Sequence, residues 1–396
     1  MKMAYVFHED ASDPSIQSGR PTSLLLEFAR LGVDIDRIFP IDLPSSRTEF
    51  AKKVGYRLIG KHHRADRHPA YLDGLASEFA RRTGGQHHDL VFSAGSEAVS
   101  HLRCQIPVTF CADATFANLV DYYWDFTGLS EEYLRDGHAQ ETAALTRSRL
   151  SVFPSEWAAR SAIDFYGADP ATVAVISFGA NMGSQNQRSS VAAWIDQRSS
   201  EEIRLLFVGR HWERKGGDVV VATAISLVSH GHRVVVDVVG CDVPAEYRDL
   251  PFVRRHGLLH QRHAAEMEML NRLYSQAHFV FVPSRAEAYG FTFAESNAYG
   301  VPAISCRTGG ISAIIRDGHN GLLFGLEARP AEYADAIVAV FSDQGRYRSM
   351  CHQAFNEFEQ RLNWQVFARR FLETVRERLR LDPFDAAPVL ARESVA

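Results

Sequence analysis

The chain has no apolar run of membrane-spanning length, so the sequence offers no candidate transmembrane helix. Cysteine is scarce: Cys104, Cys111, Cys241, Cys306 and Cys351 are scattered over 396 residues, odd in number, and no pair has metal-ligand spacing. A disulfide scaffold and a cysteine-based zinc module are therefore not expected, and reduced thiols in the cytoplasm are the simplest reading. An excess of positive charge is missing too. Lys and Arg total 43 against 48 Asp and Glu, and a net charge of −5 does not suggest a nucleic-acid binder. No internal repeat or low-complexity tract breaks the chain. Met1 leads directly into a strand-like MAYVF without the pattern of a secretory leader, so a cytoplasmic location is expected.

What remains is ordinary globular composition, 46% hydrophobic and 23% charged, and a length that favours two domains over one core. Short Val/Ile/Phe-rich runs predict strands at 3–7, 33–39, 89–93, 108–111, 151–153 and 173–177. A helix opens at Pro21 and closes at Gly32, and another covers 158–165. Two amphipathic helices flank GKHHRADRHP, which is either a solvated basic surface or a contact for an anionic acceptor or lipid headgroups. The polar stretch 183–200 reads as an interdomain linker. A second series follows, with strands at 204–208, 233–239, 253–256, 279–282 and 302–306 and helices at 216–229, 263–277 and 291–299. Strands alternating with helices of this length predict a parallel, doubly wound α/β sheet. An amphipathic helix runs to the end of the folded part, at about 365–382, and 383–396 is expected to be disordered.

Two stretches carry chemistry. In FVGRHWERKGGD a strand ends at Val208, and Arg210 and Lys215 follow before a glycine-led helix. Cations at the carboxyl end of a strand suit a diphosphate, although surface charges around a turn would look the same. In FVFVPSRAEAYGFTFAES, Glu287 lies before a helix and Glu295 one turn inside it, with seven residues between them. Glu295 is placed to accept from a ribose diol, and the amides of Gly290, Phe291 and Thr292 stand at a helix N-terminus that favours phosphate. No paired acidic motif for a metal is evident at a strand end.

In order, GR-x4-KG, the GLL at 257–259, PSRAEAYGFTFAES and GGISAIIRDGHNGLLF resemble the donor-binding domain of retaining glycosyltransferases of the GT-B fold, family four. The resemblance covers roughly 205–380, and Ser18-Gly19, SEWAA at 155–159 and FGAN at 178–181 fit more loosely. It implies two Rossmann-like doubly wound α/β domains facing a central cleft, at 1–185 and 186–364, with the last helix crossing back to the first. It implies that Arg210, Lys215, Gly19 and the amides at 290–292 hold a donor diphosphate. Glu295 would take the ribose, Leu258 and Leu259 would lie near the base, and Glu287 would touch the transferred sugar. The implied reaction moves a sugar from a UDP-sugar, or a GDP-sugar, to an unknown hydroxyl acceptor with retention, without metal or other cofactor. The acceptor could be a small molecule, a glycan or a lipid-linked species, and peripheral membrane contact is compatible with it.

One position departs from the family. Many members carry a His after a strand written like PVVLTVHD, where IPVTFCAD places Asp113. A carboxylate there can accept from a sugar hydroxyl or balance positive charge, but it cannot donate as neutral imidazole does. The plain alternative is a helix cap shared with Thr115. His8 and Asp10 follow the first strand and are candidate acceptor residues, as are Tyr122, Tyr123 and Trp124, which could equally be core. The departure at Asp113 leaves open a pseudo-glycosyltransferase or a sugar-nucleotide epimerase on the same fold. A two-lobed binding protein is the reading outside enzymes.

Overall fold

The computed structural model describes residues 1–43, 47–183, 185–260 and 262–381. The tail expected at 383–396 lies outside the described residues, as does residue 382. The chain divides into two compact units. One comprises Met1–Phe153, Ala159–Ile176 and the chain from Ala368; the other comprises Pro154–Ala158 and Ser177–Phe367.

Each unit is built on a six-stranded parallel sheet. The first contains β1 (Lys2–Val6), β2 (Asp34–Ile38), β3 (Leu90–Ser93), β4 (Val108–Cys111), β5 (Leu150–Phe153) and β6 (Val173–Val175), in the order β2-β1-β3-β4-β5-β6. The second contains β7 (Glu202–Val208), β8 (Arg233–Val239), β9 (Val253–Gly257), β10 (Phe279–Phe281), β11 (Ala303–Cys306) and β12 (Gly321–Phe324), in the order β12-β11-β10-β7-β8-β9. Helices cover both faces of a parallel sheet, so inner strands must be apolar all round. LVFS, VTFC, LSVF and AISC are accordingly buried at every position. The edge strands DIDRI and VRRHG carry charge instead, which discourages pairing with another chain.

Strand order reverses once in each sheet, and ligands of doubly wound sheets bind outside the carboxyl ends of the strands at that reversal. In the first unit the reversal lies between β1 and β3, and in the second between β7 and β10. Both sequence motifs with cations and carboxylates fall on the loops that leave β7 and β10.

Two stretches differ from the sequence reading. The polar segment taken as a linker holds the helix Arg188–Gln197, which buries only Val191 and Ile195. Arg198, just beyond it, donates to the carbonyls of Tyr299 and Gly300 at 2.9 and 2.8 Å and to that of Ser275 at 3.2 Å. The GLLF of β12 is a strand paired with β11, closing one edge of the second sheet.

The loops after β7 and β10 meet backbone to backbone. Gly216 has φ +76°, and a Cβ there would lie 2.3 Å from the Pro283 carbonyl oxygen. Gly216→Val should therefore lower the unfolding free energy by roughly 2–4 kcal/mol, combining left-handed strain with a backbone clash. Gly231 has φ +87° with open space around it, so Gly231→Ala should lose only about 1 kcal/mol. Urea unfolding midpoints of the two variants check the difference.

Candidate functional site

The second unit brings its two motifs together. Lys215 lies at the end of a short helix, Trp212–Lys215, whose left-handed cap Gly216 turns the chain into the helix Gly217–Ser229. This turn buries Lys215 and directs its Nζ onto Glu287 Oε2, in a direct ion pair. Arg214 reaches the same carboxylate at 3.5 Å while donating to the Ala286 carbonyl at 2.8 Å. Arg285 holds the two loops together from outside, with both carboxylate oxygens of Asp218 at 2.9 and 2.7 Å. Two cations on one carboxylate leave positive charge beside the helix start, where an anionic ligand would find it.

That helix, Phe291–Ala298, begins after Gly290, which caps it in a left-handed conformation with φ +100°. Phe291 and Thr292 are half-buried at its start. One turn on, Glu295 is buried and accepts a hydrogen bond from the Tyr274 hydroxyl at 3.0 Å. Burial pushes the Glu295 carboxyl up to about 7, against the opposing pull of the Tyr274 bond and of Lys215. The loop after β11 closes the third side: Gly310 N–H donates to the Glu287 carbonyl, and a Gly310 Cβ would lie 2.1 Å from the Ala288 carbonyl oxygen. Arg210 is exposed on the loop after β7, Leu258 is exposed after β9, and Leu259 beside it is half-buried.

The first unit gathers a different set at its own strand ends. Asp113, after β4, pairs with Arg20 at 3.6 Å. It is not the helix cap: Thr115 caps Phe116–Leu119 and forms a capping box with Asn118. Arg20 is buried at the start of the helix Arg20–Arg30 and donates to the Ala94 carbonyl at 2.8 Å, which ties it to the loop after β3. Gly19 precedes it with φ +83°, after the left-handed Gln17 and Ser18. His8 follows β1 half-buried, and its Nδ1 is buried without a hydrogen-bond partner among the described residues. Burial alone would raise the Glu97 carboxyl, but Arg67, His8 and Arg20 outweigh it and hold it low. Asp10 is exposed, and its carboxylate closes a turn by accepting from the Ser12 amide and hydroxyl at 2.9 and 2.6 Å. Tyr122 is half-buried with its ring against Tyr123, and Trp124 is exposed.

Part of the basic stretch GKHHRADRHP proves to be internal. Arg67 is buried, 2.7 Å from Glu97 and 3.6 Å from Glu141, and His63 is buried between Glu49 and the Ser130 hydroxyl. Sequence reasoning missed Arg214, Tyr274, Arg20 and Glu97. Arg214 and Arg20 adjoin residues already singled out, Lys215 and Gly19; Tyr274 and Glu97 meet their partners only through folding.

Residues 202–343 match the family model described as Glycosyl transferases group 1. Over those residues, which lie within the second unit, the chain is similar to that family. Among the curated proteins similar to this chain are D-inositol 3-phosphate glycosyltransferases. That of Geodermatophilus obscurus is 31% identical over 197 residues, covering 46% of this chain and 43% of the relative. That of a Nocardioides species is 28% identical over 281 residues, covering 63% and 59%. The chain thus spans about half the length of the curated relatives it matches. Among solved structures, sucrose-phosphate synthase from Thermosynechococcus elongatus superposes with a TM-score of 0.66 at 16% identity, covering 96% of this chain and 99% of the other. Anabaena HepE, solved with UDP and glucose, gives 0.61 at 14%, covering 95% and 99%. At these identities the likeness is one of fold, and the α/β fold of GT-B glycosyltransferases expected from the sequence is present.

The Glu295 environment has a sign that can be measured. A carboxyl raised from about 4.3 to about 7 stabilises the fold fully below the lower value, and that contribution is lost as pH climbs to the higher one. Relative to the parent, Glu295→Gln should gain stability across that window by up to roughly 3 kcal/mol, and no further above it. Denaturant melts of both proteins between pH 4 and pH 8 check this.

Proposed function

We propose that this chain is a glycosyltransferase that moves a sugar from a nucleoside-diphosphate sugar, with UDP favoured and GDP the alternative, to a hydroxyl acceptor. The observation that carries the reading is the buried Lys215 on Glu287 beside the amino end of the helix Phe291–Ala298. The diphosphate of the donor takes Lys215, Arg210 and the amides at 290–292, where the helix dipole adds its share. Glu287 then faces the sugar and Glu295 accepts from the ribose diol, with Leu258 and Leu259 toward the base. The UDP complex of the HepE fold relative supports the choice of base.

The bond from the sugar to the diphosphate breaks, a bond to the acceptor oxygen forms, and the acceptor proton passes to the leaving phosphate on the same face, so configuration is retained. Positive charge fixed in advance stabilises the departing diphosphate, and no metal or cofactor enters this scheme. In the first unit, Asp113, set by Arg20, offers a carboxylate to an acceptor hydroxyl, with His8 as a second polar group. Five free cysteines among the described residues favour a reducing, cytoplasmic setting.

A ligand at 100 times its Kd should raise stability by roughly 2.7 kcal/mol, so a thermal-shift panel of UDP- and GDP-sugars identifies the donor. Lys215→Ala and Glu295→Ala should each abolish the shift and lower turnover by at least about a hundredfold, as expected for lost charged contacts to the donor. If both variants bind and turn over donor as the parent does, the assignment fails.

A further inference from the structure

The helix Arg47–Leu58 is amphipathic the wrong way round. Its polar side faces the protein: Glu49 is buried against His63 at 3.1 Å, Lys52 lies 2.5 Å from Glu132, and the Tyr56 ring stacks on His63 at 4.8 Å. Its apolar side faces solvent. Phe50, Val54 and Leu58 recur every fourth residue, which places them in one row along the helix. They are 69%, 47% and 83% exposed, and Ile59, the next residue after the helix, is 70% exposed. Scattered exposed leucines are normal, but a continuous row on a helix anchored by its polar side is not.

The segment that carries this row is predominantly cationic, with Lys52 paired to Glu132 and Arg64 to Asp66. Residues 47–64 hold six Lys and Arg, namely Arg47, Lys52, Lys53, Arg57, Lys61 and Arg64, against the single acid Glu49, which is buried and paired. Lys53 and Arg57 are exposed and border the apolar row. This cationic segment sits on a chain whose net charge is −5. The adjacent loop adds an aromatic: His62 N–H donates to the Gly128 carbonyl, Ser130 N–H donates to that of His62, and Trp124 nearby on that loop is 59% exposed.

An exposed apolar row bordered by Lys and Arg fits one surface chemistry, an apolar layer beneath a sheet of negative headgroups. A soluble partner would have to match the row with an acidic, apolar groove of its own. A second copy of this chain would set cation against cation. We propose that the helix Arg47–Leu58 with Ile59 seats the protein on an anionic bilayer, lying in the headgroup plane. Among the described residues no helix is long and apolar enough to cross a membrane, so this contact is peripheral. The inference does not depend on which sugar donor is used.

Flotation of the full chain with two kinds of vesicle tests it: phosphatidylcholine alone, and phosphatidylcholine mixed with phosphatidylglycerol. Binding should be confined to the mixed vesicles and should weaken as salt rises, because charge contacts at a surface are screened. Phe50→Ser with Leu58→Ser should lower partitioning on the order of a hundredfold, as two large apolar side chains leave the interface. Lys53→Glu with Arg57→Glu should lower it by roughly tenfold or more through charge alone. All four positions are exposed, so thermal midpoints should not move and loss of fold cannot account for loss of binding. Absence of binding, equal binding to both vesicle types, or unchanged binding by both double variants overturns the proposal. So does sedimentation showing a self-associated parent that Phe50→Ser with Leu58→Ser converts to monomer without vesicle binding in either form.

Discussion

Where the chain leaves β7 and where it leaves β10, two backbones touch with no room for a side chain between them. Everything chemical in the second unit depends on that contact. The sheet order makes these two strands neighbours although about seventy residues separate them in sequence, and only a left-handed glycine lets the turns approach. Once they meet, Lys215 has nowhere to go except onto Glu287. A lysine placed this way loses most of its hydration, so it must be paired before any ligand arrives. The carboxylate thus holds the cation in place.

The first unit solves a related problem with different residues. Its order reversal falls between β1 and β3, and the buried Arg20 joins the loop after β3 to Asp113 after β4. Behind it, Arg67 neutralises Glu97, while burial raises Glu141 to about 7 even with Arg67 nearby. One guanidinium between two buried carboxylates favours ionisation of the better solvated partner and a retained proton on the other. The interior of this unit is therefore held by ionic contacts as well as by its aromatic core, in which Phe28, Phe92 and Phe371 stack edge to face or tilted.

Much of this fold was legible because parallel strands buried on both faces must be written in uninterrupted apolar runs. VTFC and FVF therefore mark their own strands. The helix Arg188–Gln197 was not legible, because two buried residues in ten leave almost no periodic signal. β12 was missed because four residues after a turn carry no pattern of their own and become a strand only beside β11. In the second unit, glycine and charge spacing after β7 and β10 singled out Lys215, Glu287 and Glu295, of which the structure pairs the first two. Tyr274 was invisible: it reaches Glu295 from another helix, 21 residues away, and nothing in either segment states that they meet. The inverted polarity of Arg47–Leu58 was equally hidden, because a sequence shows that a helix has two faces but not which one turns inward.

Arg198 carries a consequence for how this chain can be cut or extended. Polar, serine-rich text such as 183–200 is where an engineer would choose to insert a tag or where a protease would be expected to nick. Here the guanidinium spans three backbone carbonyls from two other segments, at 275 and at 299–300. Opening the chain at that point would strand all three acceptors. What looks like the most dispensable stretch of the sequence is a seam, and the second unit is stitched along it.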